Sequence, residues 1–93
     1  MLKITQSGNG IKRLRLEGKL SGLWVEELRS LCQLAVTDSK ALVIDCAGLS
    51  FVDPLGASLL RSLRGADIVL TNCSPFLELQ IAEVVAVEFE VKH

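Results

Sequence analysis

Few residues in this chain are equipped for chemistry, and most of them gather around one turn. Asp45 and Asp53 flank the second half of an apolar run, Ser50 lies between them, and Ser58 and Ser62 follow shortly after Gly56. A carboxylate followed by proline and glycine at the end of such a run marks a strand-to-helix turn, where proteins often present a nucleophile or receive an anion. The two residues between Asp53 and Gly56, however, are Pro54 and Leu55, whose side chains do neither. The single histidine is His93, the last residue, where fraying is expected. A Ser/His/Asp or Cys/His set therefore has almost no raw material. Cys32, Cys46 and Cys73 lack Cys-x-x-Cys spacing and a nearby histidine, so they read as buried thiols acting as small apolar side chains. No catalytic residue, metal site or cofactor is expected, and the chain reads as a non-enzyme.

The elements that must position this turn are legible on either side of it. Leu2, Ile4 and Gln6 alternate with Lys3 and Thr5 as in a half-buried strand, and Ser7-Gly8-Asn9-Gly10 suits a hairpin turn. In the returning strand Leu14, Leu16 and Leu20 face one way and Arg13, Arg15, Glu17 and Lys19 the other, with Gly18 marking a bulge or a close backbone approach. Ser21 is suited to cap a helix whose stripe is Trp24, Leu28, Leu31 and Ala35, widened by Leu23 and Leu34, and which ends near residue 36. Trp24 has two readings: a core residue, as is usual in such a stripe, or a partner contact.

The run from Ala41 to Cys46 predicts a central strand buried on both faces. Asp53 is expected to cap the next helix, with Pro54 in its first turn, Leu55, Leu59 and Leu63 as its buried edge, and Gly65 as its stop. Ile68 to Leu70 form another strand, parallel to the first because a helix connects them. Ser74-Pro75 repeats the cap-plus-proline start, and Val84 to Val91 alternate as a strand with a charged outer face. The expected fold is α/β, a mixed sheet of four or five strands with helices packed against it, forming a single domain over residues 1–93.

Composition narrows the function. The 93 residues are 49% hydrophobic, which argues against disorder, and 10 basic against 11 acidic residues give a net charge of −1 without a basic block. Nucleic acid is therefore an unfavourable ligand. The apolar runs are short and broken by charges, so no membrane insertion is expected, and Met1 to Gln6 alternate instead of forming a signal peptide. The chain reads as cytoplasmic.

Three segments together resemble the STAS domain family, which includes sulfate-transporter tails and anti-sigma factor antagonists. They are Leu14 to Leu20, with its glycine before the first helix; Leu42 to Asp53, with Gly56 beyond it; and Ser74-Pro75. The stretch from Ile44 to Gly56 is the most specific. In the antagonists the central loop reads Asp-Ser-Ser-Gly or Asp-Ser-Thr-Gly, and a partner serine kinase phosphorylates the hydroxyl before the glycine. Asp53 and Gly56 match that pattern, while Pro54 and Leu55 replace the two hydroxyl residues.

The resemblance implies a non-catalytic interaction module of bacterial signalling or transport regulation, like an anti-sigma factor antagonist without its phosphorylatable hydroxyl. Its implied partner is an anti-sigma serine kinase, another STAS protein, or a subunit of a lipid-transport ABC system. The implied docking residues are Ser50, Phe51, Asp53, Pro54, Leu55, Gly56, Ser58 and Arg61, with Ser58 as an alternative phosphorylation site. Leu55 has two readings, exposed to the partner or tucked beside Leu59. A third function class, a small-ligand site using Asp45 and Asp53 at the strand ends, lacks a phosphate cradle and ranks last.

Overall fold

The computed structural model describes residues 1–8, 11–37, 41–66 and 68–82. Among these residues four strands form one sheet in the order β1-β2-β3-β4: β1 (Leu2–Ser7), β2 (Lys12–Leu20), β3 (Leu42–Val52) and β4 (Val69–Thr71). β1 and β2 form the expected antiparallel hairpin, while β2/β3 and β3/β4 are parallel. The helices are α1 (Leu23–Thr37), α2 (Pro54–Gly65) and α3 (residues 75–82). The expected strand over 84–91 lies outside the described residues.

All three helices feed one core. Val25, Leu28, Cys32 and Ala35 from α1, Ala57, Leu59, Leu60 and Leu63 from α2, and Leu77 and Ile81 from α3 pack on Leu14, Leu16, Leu42, Ile44 and Cys46 of the sheet. Such a layer of helices on one sheet face is the α/β solution to burying both apolar surfaces. β3 is central, as expected, but it is not buried on both faces. Leu42, Ile44 and Cys46 point at the helices, whereas Val43 and Asp45 on the opposite face are only half-buried.

The α1 stripe is also corrected. It runs Val25, Leu28, Cys32, Ala35, with Leu31 partly buried against it, and Trp24 is left 37% exposed. A one-residue step turns a helix by about 100°, so Trp24 and Val25 cannot both point straight at the core, and Val25 takes the inward direction. Leu23 and Leu34 then face solvent instead of widening the stripe. Nor does the Ser21 hydroxyl open α1. The chain turns through Gly22 at φ 56, with the Ser21 carbonyl accepting from the Trp24 N–H at 3.1 Å.

Gly18 fills both roles expected of it. The β2/β3 register shifts around it, its φ is 105°, and an added Cβ would collide with the Met1 carbonyl of the neighbouring strand. The shifts let the 11 residues of β3 run beside the 9 of β2, so that Val52 ends level with Leu20, just before the turn at Asp53.

Candidate functional site

Asp53 is the organising residue of the turn. It lies in extended backbone as the N-cap of α2, and its Oδ1 accepts the Gly56 N–H at 2.7 Å, as expected. Its second oxygen does something the sequence did not announce. Oδ2 accepts the Gly22 N–H at 3.1 Å, so one carboxylate ties together the starts of α1 and α2. The Asp53 N–H in turn donates to the Leu20 carbonyl at 3.1 Å. The turn is a three-way junction of β2, α1 and α2.

The other expected site residues separate into groups. Gly56 is buried, where an added Cβ would lie 2.8 Å from the Leu20 carbonyl oxygen. It seats α2 against β2 and offers nothing to a partner. Pro54 and Arg61 are exposed, and Ser58 is half-buried one turn into the helix. Leu55 is 65% exposed, which settles its two readings in favour of solvent and removes it from the buried edge of α2. Leu59 and Leu63 keep their places there, joined by Gly56, Ala57 and Leu60.

Ser50 and Phe51 belong to another surface. The Ser50 hydroxyl donates to the Gly18 carbonyl at 3.1 Å, closing the bulge. Phe51 is half exposed beside a groove of about 230 Å³ that runs between the end of β3 and α3. The far wall includes Phe76, which is also strongly exposed, and Gln80, whose amide donates to the Val52 carbonyl at 2.9 Å. α3 starts as expected, with Ser74 Oγ accepting the Leu77 N–H at 3.1 Å and Pro75 in the first turn. Leu23, Phe76 and Leu79 are exposed apolar residues that the sequence reading did not place at a surface site. Leu23 and Phe76 carried one signal, their position immediately after Gly22 and after Ser74-Pro75; Leu79 carried none.

Asp45, the other candidate acid, is a structural acceptor. Its Oδ1 takes the Asn72 amide and the Ala47 N–H, both at 3.0 Å, and these bonds, the Asn72 one first, hold its carboxyl below the ordinary carboxylate range. A depressed native value means that its contribution to stability is present above about pH 4 and lost as the pH falls through the lower native value. In Asn72→Ala the Asp45 titration should move up toward the ordinary value, as read by carboxyl NMR, with the pH-dependence of unfolding below pH 4 flattened accordingly.

With this geometry in view, the STAS domain description matches residues 3–90. The chain belongs to the STAS domain family. A solved STAS-type fold of the same shape is the anti-sigma factor antagonist SpoIIAA in its unphosphorylated form, with a TM-score of 0.63 and 23% identity over 84% of this chain and 78% of that one. No curated protein matches the chain. This STAS domain shares with SpoIIAA its fold: a four-stranded mixed sheet with three helices against it. No helix among the described residues is long and apolar enough to cross a membrane.

Proposed function

We propose that this STAS domain is a non-catalytic module of bacterial signalling or transport regulation that docks a cytoplasmic protein partner on the first turn of α2. The observation that carries this is Leu55, a leucine 65% exposed on a helix start that the Asp53 carboxylate holds in place from both sides. Leu23, 84% exposed, adjoins the same junction on α1. Apolar side chains held rigidly in water are better explained by a partner that covers them than by the stability of the free domain. By resemblance, Leu55 stands where anti-sigma factor antagonists carry the phosphorylated hydroxyl. The surface then keeps its docking shape and loses its chemical switch. A serine kinase of the anti-sigma type, a second STAS protein or an ABC-transporter subunit each fits such a surface.

The test is calorimetric titration of the partner against wild type and variants, with mass spectrometry after incubation with kinase and ATP. Leu55→Glu should weaken binding about tenfold or more, because it buries a carboxylate where leucine made apolar contact. Wild-type binding should not respond to ATP, and residues 53 to 56 should carry no phosphate. Phosphate on Ser58, with Ser58→Glu abolishing binding and Leu55→Glu harmless, would replace this reading with that of a phospho-regulated antagonist. That modification is electrostatically tolerable, since Ser58 lies near the positive end of α2.

A further inference from the structure

Two cysteines lie just beyond the paired ends of the parallel strands. β3 and β4 are paired as far as Asp45 and Thr71, so Cys46 continues one strand and Asn72 the other. Asn72 adopts φ 57°, a left-handed turn that takes the chain out of the sheet, and its amide is held by Asp45. Cys73 follows at once and packs against the core cluster that contains Cys46. Cys46 is buried; Cys73 is partly open to solvent. Arg64 donates from Nη2 to Cys73 Sγ at 3.9 Å while its other terminal nitrogen holds Glu78 Oε1 at 2.9 Å. Cys32 is apart from this cluster, buried on α1 beside a separate groove with Leu59 and Leu63.

We propose that Cys46 and Cys73 are a redox pair, oxidised to an intramolecular disulfide by hydrogen peroxide, with Cys73 as the thiol oxidised first and Cys46 as the resolving one. In the first step the Cys73 sulfur attacks the peroxide. An S–O bond forms, the O–O bond breaks, and the displaced oxygen leaves as water with the thiol proton, giving a sulfenic acid. In the second step the Cys46 sulfur attacks that sulfenic sulfur. The S–S bond forms, the S–O bond breaks, and the leaving hydroxide takes the Cys46 proton as a second water. The two electrons lost by the thiols are the two that reduce the peroxide.

Accessibility sets the order, because the oxidant reaches Cys73 and not Cys46. Burial pushes the Cys46 thiol up to about 12, so it stays a thiol while Cys73 is reduced. Its proton becomes useful only when a hydroxide must depart. The bridge would enclose residues 47 to 72, which include all of α2 and the exposed Leu55, and would fasten β3 to the residue preceding the Ser74 cap of α3. This pair is independent of the docking proposal and stands or falls by its own chemistry.

The experiment is treatment of the folded protein with stoichiometric hydrogen peroxide, followed by alkylation under denaturing conditions and non-reducing tryptic mapping. Lys40, Arg61 and Arg64 lie between the cysteines, so each thiol falls in its own peptide. The expected result is one cross-linked species joining the Cys46 and Cys73 peptides, with Cys32 fully alkylated. Cys46→Ala should instead accumulate a dimedone-reactive sulfenic acid on Cys73, and Cys73→Ser should form no disulfide. If wild type and Cys46→Ala give the same Cys73 product, Cys46 does not resolve it and the proposal fails. A bridge to Cys32, or a Cys73 that remains reduced throughout, overturns it equally.

Discussion

Asp53→Ala is expected to lower the stability of the domain by about 2 kcal/mol, from one lost N-cap bond and one further hydrogen bond to a charged acceptor. For a chain of this length that is a fall in melting temperature of roughly 10 °C. The size of the effect comes from geometry: both carboxylate oxygens are used, one on Gly56 and one on Gly22. An ordinary helix cap would lose only the first bond. Asp53→Asn separates the two, because an amide can still accept from Gly56 but would present a donor to one of its two N–H partners. It should recover about half of the loss, as measured by urea or thermal unfolding. An alanine variant that unfolds like wild type would show that the carboxylate serves a partner instead of the junction.

Gly56→Ala sets two effects against each other. Alanine is the better helix residue by about 1 kcal/mol. Its methyl group, however, would stand 2.8 Å from the Leu20 carbonyl oxygen and 3.0 Å from both Leu20 Cγ and Val52 Cγ1. The nearest of these atoms is backbone in a paired strand, so α2 must move away from β2 and strain the Asp53 junction with it. The clash wins, and a net loss of about 2 kcal/mol is expected. Gly65 supplies the control, since an added Cβ there meets nothing within 4 Å. Gly65→Ala should leave unfolding unchanged or raise it slightly, and equal losses at the two positions would rule out the close approach as the cause.

What could be seen beforehand was set by how local each signal is. Asp53 before proline, Ser74 before proline, and alternating Leu14 and Leu16 each announce their structure within a few residues, and all three are found as expected. The rotation of α1 was not legible, because Trp24 and Val25 are both apolar and either starts a helical stripe. Leu55 was ambiguous for a similar reason: its spacing to Leu59 is that of a buried edge, but Gly56 and Ala57 take the inward positions of the first turn and leave Leu55 outward. The second tie of Asp53 spans 31 residues to Gly22. No pattern within a window reports such a bond, since it depends on where two helices are brought by the strands between them. The groove between Phe51 and Phe76 was hidden in the same way.

The backbone of the β3–α2 turn depends on partners from far along the chain. Ser50 is fastened to Gly18, the Asp53 amide to Leu20, and the Val52 carbonyl to the side chain of Gln80 on α3. None of these ties can form while the turn is still a local piece of chain, so the entropy of closing long loops must be met before the turn acquires its shape. The surface carrying Leu55 is therefore expected to take shape together with these long-range contacts and not before them. A nascent chain that has not yet delivered α3 lacks one of the ties, and a partner that recognises this turn in its final form distinguishes finished molecules from unfinished ones.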